Sequence, residues 1–348
     1  MVMTDMDAIT GFVDLLSDLF WVYLFILLGI LWRFSPFYKK SHADNITKVI
    51  ISIFFPISII SSFAKVETFG GIIILQIAII AILVHLGGYY FFIFLTRKEG
   101  STPDNGAIAF TATFPNALLY PFPIILALEV ELRNDAIIKG VFINDAIVYA
   151  TLFVFFAMII RNTFGMYMGR KFRNKSQGVE ENDKQGDLLF MKLLIDMCKF
   201  PPFLAVIVGF ILHLLVGPEV IRAFPGLQIW KTIALYGSLL LVGVSFRNLS
   251  DLHPRKLFTR HKFQVSGIRF IIVPIFTIIA VSIFNFAPII AIPLLIQSMA
   301  PPAVSNIVYA TFFELNEALM SSIITIVTLL ALIMLPFELL LFFTLFPF

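Results

Sequence analysis

The chain holds a single cysteine, Cys198, among 348 residues, which excludes an intramolecular disulfide and a cysteine-based metal site. Charge is equally scarce. Asp, Glu, Lys and Arg make up 14% of the residues, against about 25% in soluble domains, too little to clothe a water-soluble surface. The first 18 residues contain no Lys or Arg and instead carry Asp5, Asp7, Asp14 and Asp18. This is the reverse of the basic leader of a signal peptide, so no cleavable signal is expected. No Walker loop, dinucleotide fingerprint, zinc motif or nucleophile elbow occurs. Hydrolysis of ATP within this chain, enzymatic chemistry and a bound cofactor are therefore not expected. A net charge of +3 gives no basis for nucleic-acid binding.

What is present is apolar: 59% of residues are hydrophobic, which marks an all-α polytopic membrane protein. At roughly 20 residues per crossing, the apolar segments number about ten. Spans one to three are expected at Leu19 to Phe34, Ile46 to Ala64 (with a kink at Pro56) and Gly70 to Leu95. Span four lies within Asn105 to Val130, and span five runs from Ile137 to Ile160. A polar run from Arg161 to Gly186, without apolar periodicity, reads as a linker. Spans six to eight follow at Leu188 to Val216, Trp230 to Phe246 and Val265 to Phe284, the last containing Pro274. Span nine lies within Pro288 to Leu315, and span ten covers Ala318 to Leu345.

Spans four and nine are interrupted. Span four carries Phe114-Pro115-Asn116 and Tyr120-Pro121-Phe122-Pro123, and span nine carries Pro301-Pro302 followed by Ser305 and Asn306. Proline removes a donor and clashes with the preceding turn, so both helices should break. A break facing lipid would strand backbone groups at several kcal/mol each, so each must be buried in protein or line a cavity. Interrupted segments at matching places in two halves point to a transporter site.

Charge sets the expected orientation. With the N-terminus outside, the loops on the cytoplasmic side hold about 18 Lys and Arg, against about five opposite. Ten spans then put both termini outside the cytoplasm, in a plasma membrane, with a prokaryotic cell membrane favoured. Five spans per half make the halves inverted repeats, 1–162 and 188–348, joined by the linker 163–187. Broken helices four and nine would cross near the bilayer midplane.

A broken helix offers free N–H groups at the start of its second half, which suits an anion. Asn116 and Asn306 lie at such starts and can donate and accept. Either they meet a solute or they cap the freed backbone. Around them, Pro115, Tyr120, Gln297, Pro301, Ser305 and Tyr309 complete the candidate substrate set. Ionisable residues within spans are costly and are functional candidates. Asp145, beside Asn144, and Arg269 are the candidates for ion coupling, with a structural hydrogen bond or ion pair as the other reading of Asp145. Asp196 and Lys199 read as snorkelling side chains, His213 and Glu338 as reaching an interface, and His85 as a satisfied interior histidine. No metal site is expected.

The order of these pieces resembles the auxin efflux carrier family, which includes the PIN-FORMED proteins and many prokaryotic transporters. The run from Phe114 to Pro123 is similar to the family's fourth-helix crossover, and Gln297 to Pro302 with Val308-Tyr309-Ala310 to its ninth. Lys199-Phe200-Pro201-Pro202 with Gly209, the stretch Leu241 to Ser245, and Arg269 with Pro274 resemble the family patterns of helices six, seven and eight. The resemblance implies scaffold helices one, two, six and seven that form a homodimer. It implies a transport domain of helices three to five and eight to ten that moves as an elevator, with Asn116, Pro115 and Pro301 lining the substrate site. The expected function is a secondary transporter of a small organic anion, coupled to H+ or Na+ or to neither. The alternative is a sodium-coupled carrier similar to the bile-acid symporters, and a non-transporting receptor is a more distant one.

Overall fold

A computed structural model describes residues 19–63, 71–97, 99–130, 146–173, 191–192, 195, 198–216, 227–244 and 259–345. The described chain is an all-α polytopic membrane protein. Its helices are α1 (Phe20–Phe34), α2 (Lys40–Val49), α3 (Phe55–Phe63), α4 (Gly71–Thr96), α5 (Pro103–Thr113), α6 (Pro121–Val130), α7 (Ala146–Phe172), α8 (Pro201–Val216), α9 (Leu227–Val244), α10 (Arg260–Gly267), α11 (Val273–Ile283), α12 (Pro288–Ser298), α13 (Asn306–Phe312) and α14 (Glu317–Leu345). Five stretches are long and apolar enough to cross a membrane: Lys40–Ser61, Gly71–Thr96, Ala146–Phe172, Arg260–Ile283 and Glu317–Phe342. Shorter apolar helices accompany them, among them α1, α8, α9 and α12. Large apolar side chains such as Ile72, Leu215 and Ile283 point outward. In water such a surface would aggregate, whereas against lipid it is the expected exterior.

Two prolines that could have broken helices do not. Pro56 and Pro274 each follow a π-helical turn, Ile50–Phe54 and Ile268–Ile272. The carbonyl four residues before each proline, on Ser52 and Phe270, lies inside that turn. Widening the helix there relieves the clash with the proline ring and carries α2 into α3 and α10 into α11.

The helices pack chiefly in two groups. α1 lies along α9, and α8 and α9 pack on α3. In the other group α4 contacts α5, α7 and α11, while α14 contacts α5, α10 and α13. α7 is central: 56% of its membrane-length window is buried, against 28% of Lys40–Ser61. The α1–α9 contact is a backbone approach. A Cβ on Gly243 would collide with the Ile26 carbonyl, and one on Gly29 with the Leu240 carbonyl. Small residues at such crossings let membrane helices gain dispersion contact where no hydrophobic driving force exists between them.

Several boundaries differ from the sequence expectation: the helix of span two starts at Lys40 and not Ile46, that of span eight at Arg260 and not Val265, and span five ends later. Span five was expected to end at Ile160, yet α7 continues to Phe172, so Arg161 belongs to the helix and not to the linker. The polar residues here are satisfied by tertiary partners: the Tyr309 hydroxyl donates to Asn162 Oδ1 at 2.9 Å. Gly165 and Gly169 leave room for the rings of Tyr309 and Phe313. The start of span five, with Asn144 and Asp145, and the linker 174–190 lie outside the described residues.

Gly243→Val is expected to destabilise the purified protein by about 1–3 kcal/mol, the usual cost of overpacking, read as a lower Tm in mild detergent. An unchanged Tm would mean that α1 and α9 are not in backbone contact.

Candidate functional site

α5 starts from an ordinary N-cap. Thr102 Oγ1 accepts from the Asn105 N–H at 3.2 Å, and Pro103 occupies the first turn, where its missing donor costs nothing. The helix ends at Thr113, and the chain runs extended through Phe114 and Pro115 before re-entering a helix at Pro121. Pro121 therefore opens α6 and does not cause the break. In the second half α12 ends at Ser298 and α13 starts at Asn306, with Pro301 and Pro302 between. Pro293, inside α12, does not interrupt it.

The two breaks lie side by side and antiparallel, with Pro115 opposite Pro302. Neither proline can donate, so their neighbours do. Asn116 N–H donates to the Pro301 carbonyl at 2.6 Å, and Ala303 N–H donates to the Phe114 carbonyl at 3.0 Å. Each interruption thus supplies the partner that the other has lost, as a dry environment demands. Side chains close the remaining ends. Asn306 Nδ2 donates to the carbonyls of Phe110 and Phe114, at 3.2 and 3.1 Å, at the end of α5. Arg269 donates from Nε and Nη2 to the Ala300 carbonyl, at 3.0 and 2.8 Å, and from Nη2 to the Ser298 carbonyl at 2.7 Å. A guanidinium at the C-terminal end of α12 satisfies orphan carbonyls and sits at the negative pole of the helix dipole.

A cavity of about 210 Å³ opens beside the first break. Its floor is the backbone turn from Phe114 to Leu119. One wall is a stripe of α7, namely Val154, Ala157, Met158 and Arg161, and the rest comes from His85, Ile51, Phe200 and Ser305. The lining is apolar apart from a few polar groups, the usual make-up of a small-molecule site. Arg161 Nη1 donates to Ser305 Oγ at 2.7 Å. Arg161 brings a positive charge, and no Asp or Glu lines the cavity among the described residues. Asn116 Oδ1 accepts from the Leu119 N–H at 3.2 Å, which leaves its Nδ2 uncommitted among the described residues. His85 Nδ1 lies 2.6 Å from the Ala81 carbonyl. A carbonyl only accepts, so Nδ1 carries the proton and Nε2 of the neutral ring is an acceptor. The ring sits between Phe114 and Phe153, at 5.8 and 6.1 Å.

Of the candidate substrate residues, Pro115, Asn116 and Ser305 line this cavity, and so does His85, expected as an interior histidine. Pro301 lies behind them in the paired breaks, and Asn306 is fully buried as a cap on α5. Tyr120 donates to the Ala331 carbonyl at 3.0 Å, and Gln297 Nε2 lies 3.5 Å from the Ala150 carbonyl. Tyr309 bonds Asn162, and Arg269 clamps α12. Asn144 and Asp145 fall outside the described residues. Sequence reasoning passed over Arg161 because its polar neighbours resembled a loop. The available signal was spacing: residues 154, 157, 158 and 161 recur at i, i+3, i+4 and i+7, one helical face.

A family model described as a membrane transport protein matches residues 14–339. The chain belongs to that family. It is the auxin efflux carrier family that the motifs around Pro115 and Pro301 resemble, and it is a family of transporters rather than enzymes. No curated protein matches the sequence.

Asn306→Ala should remove the side-chain donor shared by the carbonyls of Phe110 and Phe114, which keep only the N–H groups of Phe114 and Ala303, a loss of about 0.5–1.5 kcal/mol. Thermal unfolding in detergent should register it, whereas Asn116→Ala should leave Tm within a degree or so of wild type. Equal Tm for both variants would contradict the capping role of Asn306.

Proposed function

We propose that this transporter moves a small organic anion, a carboxylate, through the cavity beside the paired breaks. The observation that carries the reading is Arg161: a cation on the cavity wall, with Ser305 and Asn116 as further polar groups and no described carboxylate beside it. In a site of low dielectric an unopposed guanidinium favours an anion, and its planar fork suits a carboxylate. The apolar walls from Val154, Met158 and Phe200 suit an apolar body behind that group. Ten spans in two inverted repeats, crossing at helices four and nine, give a site near the midplane of the bilayer. The scaffold group would be α1 to α3, α8 and α9, whose mutual packing supports the division. The remaining helices would move as an elevator, the scaffold would form the homodimer, and both termini would face away from the cytoplasm.

A second reading, sodium coupling, is favoured by one observation. Thr113 Oγ1, Gln297 Oε1 and Asn306 Oδ1 flank the breaks, are buried and have no hydrogen-bond partner. Such oxygens suit a hard cation. Asp145 stays the candidate coupling carboxylate of the fifth helix, and Asp145→Asn is expected to alter the proton or sodium dependence of transport.

Purified protein screened against organic acids, with and without sodium and at two pH values, should show a rise in Tm with at least one acid. Arg161→Gln should weaken that acid at least about tenfold, since charge-assisted bonds contribute about 1.5–3 kcal/mol. Asn116→Ala should abolish counterflow of the same acid in proteoliposomes while insertion remains normal. Wild-type affinity in Arg161→Gln would remove the assignment of the cavity.

A further inference from the structure

We infer that Glu338 is a membrane-embedded proton-binding site whose charge governs how Arg269 holds the second break. Among the described residues it is the one buried carboxylate, 8% exposed, and its Oε1 has no hydrogen-bond partner. Arg269 is fully buried, and its Nη1 is likewise without a partner. The two opposite charges interact electrostatically yet make no direct ion pair. A buried, unpartnered carboxylate oxygen is costly where no water competes, and taking up a proton removes that cost.

Its surroundings tie it to both breaks. Pro336, two residues earlier in α14, has no N–H for the Leu332 carbonyl four residues before it. Tyr23 of α1 donates to that carbonyl at 2.9 Å, and Tyr120, at the end of the first break, donates to the Ala331 carbonyl at 3.0 Å. The titratable groups that interact with Glu338 are thus Arg269 from the eighth span, Tyr120 from the first break and Tyr23 from α1. Of the other elements packed on α14, α12 has no ionisable side chain and α13 has only Tyr309. α5 has only Asp104, which accepts from Asn316 Nδ2 next to the opposite end of α14. α10 carries Arg260, paired with Glu99, together with His261 and Lys262.

The step is a proton transfer from water to Oε1. The carboxylate becomes neutral, and the guanidinium keeps only the carbonyls of Ser298 and Ala300 as partners. When the proton leaves, the carboxylate again draws on the same guanidinium, and its hold on the end of α12 weakens. The use of this switch in transport rests on the carrier reading, but proton binding and its effect on the break can be measured without a substrate.

The test uses the full chain in lipid nanodiscs, as wild type, Glu338→Gln and Glu338→Asp. Infrared difference spectra between pH 4 and pH 9 are expected to contain a protonated-carboxyl band in wild type and Glu338→Asp that Glu338→Gln lacks. Hydrogen exchange over residues 299–305, compared between wild type and Glu338→Gln at each pH, should diverge by up to about tenfold per pH unit through the titration. Identical spectra for wild type and Glu338→Gln would overturn the inference, as would exchange at the break that keeps a constant ratio between them at every pH. Neither result would bear on anion binding at Arg161, which the acid screen decides separately.

Discussion

Hydrocarbon offers no hydrogen bonds, and this structure is organised around that fact. Two proline-opened segments each lose backbone partners in the buried interior. They regain them by lying against each other, through Asn116 to Pro301 and Ala303 to Phe114. Either break alone would expose polar backbone at several kcal/mol per group, so each stabilises the other. The pairing also explains why the cavity lies where it does. Extended chain at Phe114 to Asn116 is thinner than a helix, and the α7 stripe ending at Arg161 closes around the space that remains.

The two half-helices are closed by different chemistry. A neutral amide, Asn306, caps α5, whereas a guanidinium, Arg269, caps α12. Because Arg269 is committed to the end of α12, the positive charge on the cavity wall is that of Arg161. The difference is physical: one cation is engaged by backbone carbonyls and the negative pole of a helix, and the other lies on the cavity wall with the Ser305 hydroxyl as its partner. Tyr23 follows the same logic at Pro336, where its hydroxyl occupies the Leu332 carbonyl, and Tyr120 bonds the neighbouring Ala331 carbonyl.

Much of this was legible in the sequence because proline acts locally. Pro115, Pro301 and Pro302 mark interruptions that the structure contains, and long apolar runs mark the helices around them. A kink is expected from sequence at Pro56, and Pro274 falls inside a span, but the sequence could not reveal that a π turn would absorb each one, since that choice depends on neighbouring helices. Residues governed by tertiary partners were harder still. Arg161 and Asn162 looked like loop residues, yet Tyr309 and Ser305 satisfy them from far along the chain. Asn306 lies beside a break, but spacing alone could not reveal that it caps the helix of the other half.

Residue-resolved hydrogen exchange in nanodiscs tests most directly whether the two breaks satisfy one another's backbone. The amides of Asn116 and Ala303 should exchange as slowly as those in the middle of α7, although neither residue lies in a helix. Exchange as fast as at the exposed turn around Gly100 would mean that the breaks do not pair, and the account built on them would fail.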